Sequence, residues 1–213
     1  MTDGAGSAAG SALITPAGPA QLETEVKKSR FLAWADHVAN VDQAERFVAG
    51  HRRSDANHNC WAWRVGASHR SSDDGEPSGS AGRPILAAID GRGLDQVAVL
   101  VVRYFGGIKL GVGGLVRAYG GSAARCLDLA GSLERFPTGK LSITAPLSCM
   151  GRVRAVLQRR QLTAGVETYR GQDFSLTVAG ELRQLQAVEV ELKEATRGSA
   201  QLKVSDTPGS DSA

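Results

Sequence analysis

The spacing of apolar and polar positions divides the chain into segments of strand and helix period. Residues 21–26 and 30–37 read as strands joined by a short basic turn at Lys27-Lys28. Asn40, with Gln43 three residues on, has N-cap and capping-box chemistry. The helix it opens sets Ala44, Phe47 and Val48 on one face. Residues 60–65, containing Trp61 and Trp63, alternate like a strand. The stretch 69–79 is polar and carries Asp-Gly and Glu-Pro turn signals. Pro84 suits a first helical turn, with Ile85, Leu86 and Ile89 as the buried face. Within 96–104, the run Val97-Ala98-Val99-Leu100-Val101-Val102 predicts a strand buried on both sides. A glycine-rich loop, 106–114, then leads into a helix over 115–129.

The second half predicts a strand over 140–145, a helix over 148–160 with Val153, Val156 and Leu157 inward, and a hairpin of 163–169 and 172–179 across Arg170-Gly171. A helix over 181–196 follows, with Leu182, Leu185, Val188, Leu192 and Ala195 at helical spacing, then a strand over 201–204. The order β-α-β-β-α-β is the ferredoxin-like plan. Pro137-Thr138-Gly139 is the natural linker. The expected organisation is therefore a disordered leader over 1–20, one domain over 21–136, a ferredoxin-like domain over 139–204, and a disordered tail over 205–213. The expected fold class is α+β.

Composition narrows the function classes. At 42% hydrophobic and 22% charged residues, the chain has ordinary globular content. Three widely spaced cysteines, Cys60, Cys126 and Cys149, do not make a disulfide framework or a zinc motif. No apolar run approaches the ~20 residues that span a bilayer, and residues 1–10 lack the pattern of a secretory signal. The expectation is a cytoplasmic protein. A net charge of +3 announces no partner, but its distribution is uneven. Between Asp95 and Asp128 there is no acidic residue, while Arg103, Lys109, Arg117 and Arg125 are basic.

Four segments could carry chemistry. In the first, a buried strand feeds Gly106, Gly107, Gly111, Gly113 and Gly114, and a helix follows. Unpaired N–H groups at a helix start, close backbone approach at glycine and the cations Arg103, Lys109 and Arg117 together suit a phosphate. The same glycines also suit tight strand-to-helix packing, and the spacing is neither a P-loop nor a dinucleotide fingerprint. In the second, His58 and Cys60 share a strand face. A thiol nucleophile would need thiolate-favouring surroundings, and a buried structural cysteine is the commoner outcome. In the third, Asp73, Asp74 and Glu76 could hold a divalent ion, but a turn whose side chains cap backbone donors is commoner. The fourth, from Arg135 to Val166, contains Arg152, Arg154, Arg159 and Arg160 and no acid. A basic helix there docks on phosphates or is simply a solvated face.

The motifs resemble the IMPACT (YigZ-like) family. They are Val102-Arg103-Tyr104-Phe105-Gly106-Gly107-Ile108-Lys109-Leu110-Gly111 with Gly113-Gly114-Leu115-Val116-Arg117-Ala118-Tyr119, the run Asp73 to Gly79 with Ala81-Gly82-Arg83-Pro84, His58 to Arg64, and Ser29-Arg30-Phe31. The match is strong over 20–130 and weak over 139–204. Ser80 stands where a Thr is usual, and Trp61 and Trp63 where Tyr is frequent. The resemblance marks His58, Cys60, Asp73, Asp74, Glu76 and Arg83 as family-motif residues. It implies an N-terminal domain similar to the second domain of a small-subunit ribosomal protein and to domain IV of elongation factor G. Eukaryotic relatives regulate translation during amino-acid starvation, but the RWD domain they carry has no counterpart in this sequence.

The implied role is a translation-associated, stress-related regulator that binds RNA, the ribosome or a translation-factor or regulatory protein partner. No membrane partner and no DNA specificity are expected. Neither an enzymatic activity, a cofactor nor a metal is expected. Two other readings stay open. One is a small-molecule or phosphate-handling enzyme using the same loop, and the other is a pure protein-interaction module.

Overall fold

The computed structural model describes residues 12–206. The chain divides into two compact units, one spanning Leu13–Arg135 and one running from Phe136 onward.

The first unit is built on a five-stranded antiparallel sheet. Its strands are β2 (Ala20–Val26), β3 (Ser29–His37), β4 (His58–Val65), β5 (Ser68–Ser72) and β6 (Val97–Tyr104), in the order β2-β3-β6-β4-β5. Lys27 and Lys28 both take positive φ, which turns the β2–β3 hairpin tightly. The central strand β6 is apolar along nearly its whole length because both its faces are covered. Val97, Val99 and Val101 face α2 (Gly82–Asp90) and α3 (Val112–Ala130), through Ile85, Ile89, Leu115 and Tyr119. Ala98, Leu100 and Val102 face α1 (Val41–His51), through Ala44 and Val48. Asn40 caps α1 by accepting from the Gln43 N–H at 2.9 Å. The Gln43 side chain reaches back one residue beyond the cap, to the Ala39 N–H at 2.7 Å.

Two corrections fall in this unit. The expected leader already contains structure. Leu13–Pro16 is a strand, β1, paired antiparallel with β7 (Ser132–Arg135). Thr15 is fully buried and accepts from Arg135 Nε at 3.0 Å. Four ordered residues inside a Gly/Ala/Ser/Pro-rich window are outweighed in composition, and their pairing partner is distant in sequence. The rest of the leader, residues 1–11, lies outside the described residues. The polar stretch 69–79 also begins as a strand. β5 is an edge strand whose side chains are largely exposed, so it shows no apolar alternation.

The second unit runs β8 (Thr138–Pro146), a 3₁₀ turn at Leu147–Cys149, α4 (Met150–Arg159), β9 (Thr168–Arg170), β10 (Asp173–Glu181), α5 (Leu182–Ala195) and β11 (Gln201–Asp206). The antiparallel sheet order is β11-β8-β10-β9, the ferredoxin-like arrangement. Leu141, Ile143, Phe174, Leu176 and Val178 point to one face, against Val153, Val156, Leu157, Leu185, Val188 and Leu192 of the two helices.

Three boundaries differ from expectation. Thr138 and Gly139 are no linker but the paired start of β8, opposite Glu181 and Gly180. A Cβ on Gly139 would lie 2.6 Å from Ser205 O, so glycine is there for close strand packing. The strand expected over 163–169 shortens to β9 plus a single bridge between Ala164 and Val178. The expected tail at 205 begins later, since β11 continues to Asp206, and 207–213 lies outside the described residues.

Candidate functional site

The site is assembled where β6 ends and α3 begins. The helix starts at Val112, three residues earlier than its apolar periodicity indicated, so Gly113 and Gly114 belong to its first turn and not to a loop. Gly111 occupies the N-cap at φ 72°, a conformation that favours glycine, and no side chain caps the helix. The Leu115 N–H donates to Gly111 O at 2.9 Å and opens the helical ladder. The N–H groups of Val112, Gly113 and Gly114 precede it and have no acceptor within the helix. Uncapped first-turn N–H groups and the positive end of a 19-residue helix dipole favour an anion.

The cations divide into two kinds. Lys109 and Arg117 are exposed, and neither forms an ion pair among the described residues. Arg117 lies back along the helix, its Nη1 3.6 Å from where a Cβ on Gly113 would sit. Arg103 differs from expectation. It is 5% exposed, and its Nη1 donates to Glu76 Oε1 at 2.7 Å. Its guanidinium lies between the Phe31 and Phe105 rings, 5.7 and 5.4 Å from their centroids. Its charge is answered inside the protein and is not offered to a ligand as a free cation. Sequence position could not reveal this, because the partner carboxylate is 27 residues away.

Gly106 has a packing role. A Cβ there would meet Lys28 O at 1.9 Å, and its N–H donates to Ser29 Oγ at 3.2 Å. The same hydroxyl accepts weakly from Arg103 Nη2 at 3.4 Å. At Gly107 and Gly111 the surroundings are open, and positive φ is what calls for glycine. The glycine-rich segment therefore serves both functions considered from sequence, packing at Gly106 and an open backbone at the helix start.

The acidic turn does not converge on one point. Asp73 caps α2 from outside the helix. Its Oδ1 accepts from the N–H groups of Ala81 and Gly82 at 2.9 and 2.8 Å, and its Oδ2 from Gly79 at 2.8 Å. Burial alone would raise the Asp73 carboxyl, but those three donors, with Arg83 nearby, hold it below its ordinary value. Arg83 itself is exposed beside Gly79. Asp74 accepts from Arg52 Nη2 at 2.8 Å and from the Asn59 N–H at 2.6 Å. Glu76 turns inward to Arg103 and to the Tyr119 hydroxyl, which donates at 2.7 Å.

Cys60 is fully buried and donates to Asp73 O at 3.1 Å. Burial pushes its thiol up to about 12, the opposite of what a thiolate nucleophile requires. His58 Nδ1 lies 2.9 Å from Asp74 O, and Nε2 lies 3.8 Å from Glu76 Oε1.

A cavity of about 420 Å³ lies under the α3 N-terminus. His58, Glu76 and Arg103 form its polar side, while Phe105, Leu110 and Leu115 are among its apolar residues. Tyr119 and Phe105 were not singled out from sequence. Tyr119 stands on the buried Leu115, Ala123, Leu127 stripe of α3, where a phenol needs a partner for its hydroxyl, and that is the signal that could have found it.

The basic run in the second unit is mostly neutralised. Arg154 pairs with Glu167 at 2.8 Å, and Arg159 and Arg160 both reach Glu191 at 3.0 Å. This is a charge-balanced surface and not an open cationic one.

The molecule is thus an α+β protein with an uncapped, glycine-rich helix end in its first unit and a ferredoxin-like second unit. Residues 27–127 match the Impact N-terminal domain. The chain is 50% identical over 139 residues to an IMPACT family member of Thermus thermophilus, covering 65% of this chain and 77% of the relative. It is 39% identical to YigZ of Escherichia coli strain K12, covering 68% and 74%, and 32% identical to YvyE of Bacillus subtilis strain 168, covering 85% of each. A crystal structure described as that of a hypothetical protein superposes with a TM-score of 0.69 at 34% identity, covering 90% of this chain and 96% of that one. The chain belongs to the IMPACT family. Among the described residues no helix is long and apolar enough to cross a membrane.

Proposed function

We propose that this chain is a translation-associated binding protein that holds RNA phosphates at the N-terminus of α3, with Lys109 and Arg117 supplying charge. The observation that carries the reading is the contrast between this helix end and the other basic segment. At α3 the cap is absent, the first turn holds no acid, and neither Lys109 nor Arg117 is paired among the described residues. On α4 the arginines at 154, 159 and 160 are answered by Glu167 and Glu191. A phosphate-binding surface needs cations that are free to release counterions, and only the first set meets that need.

The test is affinity for single-stranded RNA at several salt concentrations. Each phosphate neutralised by a cation contributes about −0.7 to the log–log slope. Replacing Lys109 and Arg117 together by Ala should flatten the slope by ~1.4 if both contact phosphate. Both side chains are exposed, so circular dichroism should report an unchanged fold. An unchanged slope and affinity would remove these residues from the site.

A further inference from the structure

We infer that the cavity beneath the α3 N-terminus receives one ribonucleotide of the bound strand and reads its 2′-hydroxyl, so that the chain separates RNA from DNA. This rests on the RNA-binding reading above and adds where one nucleotide sits and what is recognised there.

The argument starts from the polar end of the cavity. Asp74 O is a carbonyl and can only accept, so the 2.9 Å bond from His58 Nδ1 places the imidazole hydrogen on Nδ1. In the neutral ring Nε2 is then an acceptor. It faces Glu76 Oε1, another acceptor, at 3.8 Å, too far for a hydrogen bond and with no donor between them. Oε1 already receives Arg103 Nη1 and the Tyr119 hydroxyl. Both His58 and Glu76 line the cavity. A ligand entering it with an O–H group would supply the missing donor.

Arg103 gives a second, independent sign that the site is incomplete. It lines the same cavity at 5% exposure, and its buried Nε has no hydrogen-bond acceptor. Buried donors of this kind are rare and call for an explanation.

The opposite end favours an anion. Gly111 and Val112, at the uncapped start of α3, line the cavity together with Lys109. Between the two ends stands Phe105, 47% exposed, an aromatic face on which a base can stack. The cavity volume of about 420 Å³ falls within the range of small-ligand sites. A hydroxyl donor, a flat apolar group and a phosphate, in one unit, describe a ribonucleotide. Deoxyribose lacks the hydroxyl that distinguishes RNA at such a site.

The experiment compares short single strands of one sequence, with uracil throughout, as RNA, as DNA and as 2′-O-methyl RNA, by fluorescence anisotropy. Wild type should bind RNA about tenfold more tightly than DNA, because the unmet acceptors stay unmet with DNA. The 2′-O-methyl strand, which keeps the oxygen and loses the donor, should behave as DNA. His58→Ala and Phe105→Ala are measured alongside. His58→Ala should bring the RNA-to-DNA ratio close to one with an unchanged salt slope, and Phe105→Ala should weaken all strands.

Equal affinity for RNA and DNA with a steep salt slope would overturn this inference and leave the phosphate-binding reading standing. That is also the outcome if His58 is an imidazolium that satisfies Glu76 itself. Absence of binding to any strand would overturn both. Complete displacement of RNA by an equal concentration of uridine monophosphate would make the cavity a free-nucleotide site and overturn the inference. The 2′-O-methyl comparison uses wild type alone, so the inference stays testable if a variant fails to fold.

Discussion

Arg103 is predicted to act on stability through Glu76, and a double-mutant cycle measures this. The two side chains are 6% and 4% exposed and meet at 2.7 Å, so solvent screens the pair little. Arg103→Met removes the guanidinium and leaves the Glu76 carboxylate buried with only the Tyr119 hydroxyl as a close donor. Breaking a buried pair on one side costs about 3–5 kcal/mol. For a unit of this size each kcal/mol moves Tm by ~4 °C, giving a fall of about 12–20 °C. Glu76→Leu strands the guanidinium and should cost a similar amount. The double variant should recover much of the loss, because replacing both charges with apolar groups is often near neutral. Recovery stays incomplete, since Tyr119 loses its acceptor at a cost of ~1–3 kcal/mol. The coupling between the two sites should reach at least about 2 kcal/mol, within the range for residues in contact. Urea denaturation followed by circular dichroism gives these values, provided m is unchanged. The reasoning fails if Arg103→Met lies within ~1 kcal/mol of wild type, or if the two single losses simply add.

Two further outcomes are expected. Asp73→Asn should destabilise by about 1 kcal/mol through weakened capping of α2. The folded Asp73 carboxyl lies below its ordinary 3.8, so its stabilisation is full above that pH and is lost as pH falls through the lower folded value; acid denaturation should therefore be flatter in the variant, and identical acid limbs would exclude the role. Gly106→Ala should cost ~1–3 kcal/mol in urea midpoint, because the new methyl collides with the Lys28 carbonyl, and a neutral result would show that this strand end can move aside.

The sequence made legible those parts whose cause is local or periodic. The doubly covered β6 is visible as an uninterrupted apolar run, and the α1 cap as Asn40 with Gln43. The ferredoxin-like unit is visible in its alternation of strand and helix periods, because its strands pack one face on helices. What escaped depends on partners distant in the chain. β1 exists because residues 132–135 pair with it, and β5 because β4 offers an edge to a polar strand. At the site, the glycine-rich helix start was legible from composition. The placement of each charge was not. Arg103 has the same sequence signature as Lys109 and Arg117, and only the inward turn of Glu76 separates a buried structural charge from two exposed ones. Asp73 likewise reads as one of three clustered carboxylates until the fold brings the α2 N-terminus to it.

The most direct test of the central claim is an amide chemical-shift titration of isotope-labelled protein with short single-stranded RNA. The account predicts that the largest shifts fall on Gly111, Val112, Gly113 and Gly114, with smaller ones at Lys109 and Arg117. Shifts concentrated on α4 or on the sheet of the second unit, with the α3 N-terminus unmoved, would contradict it.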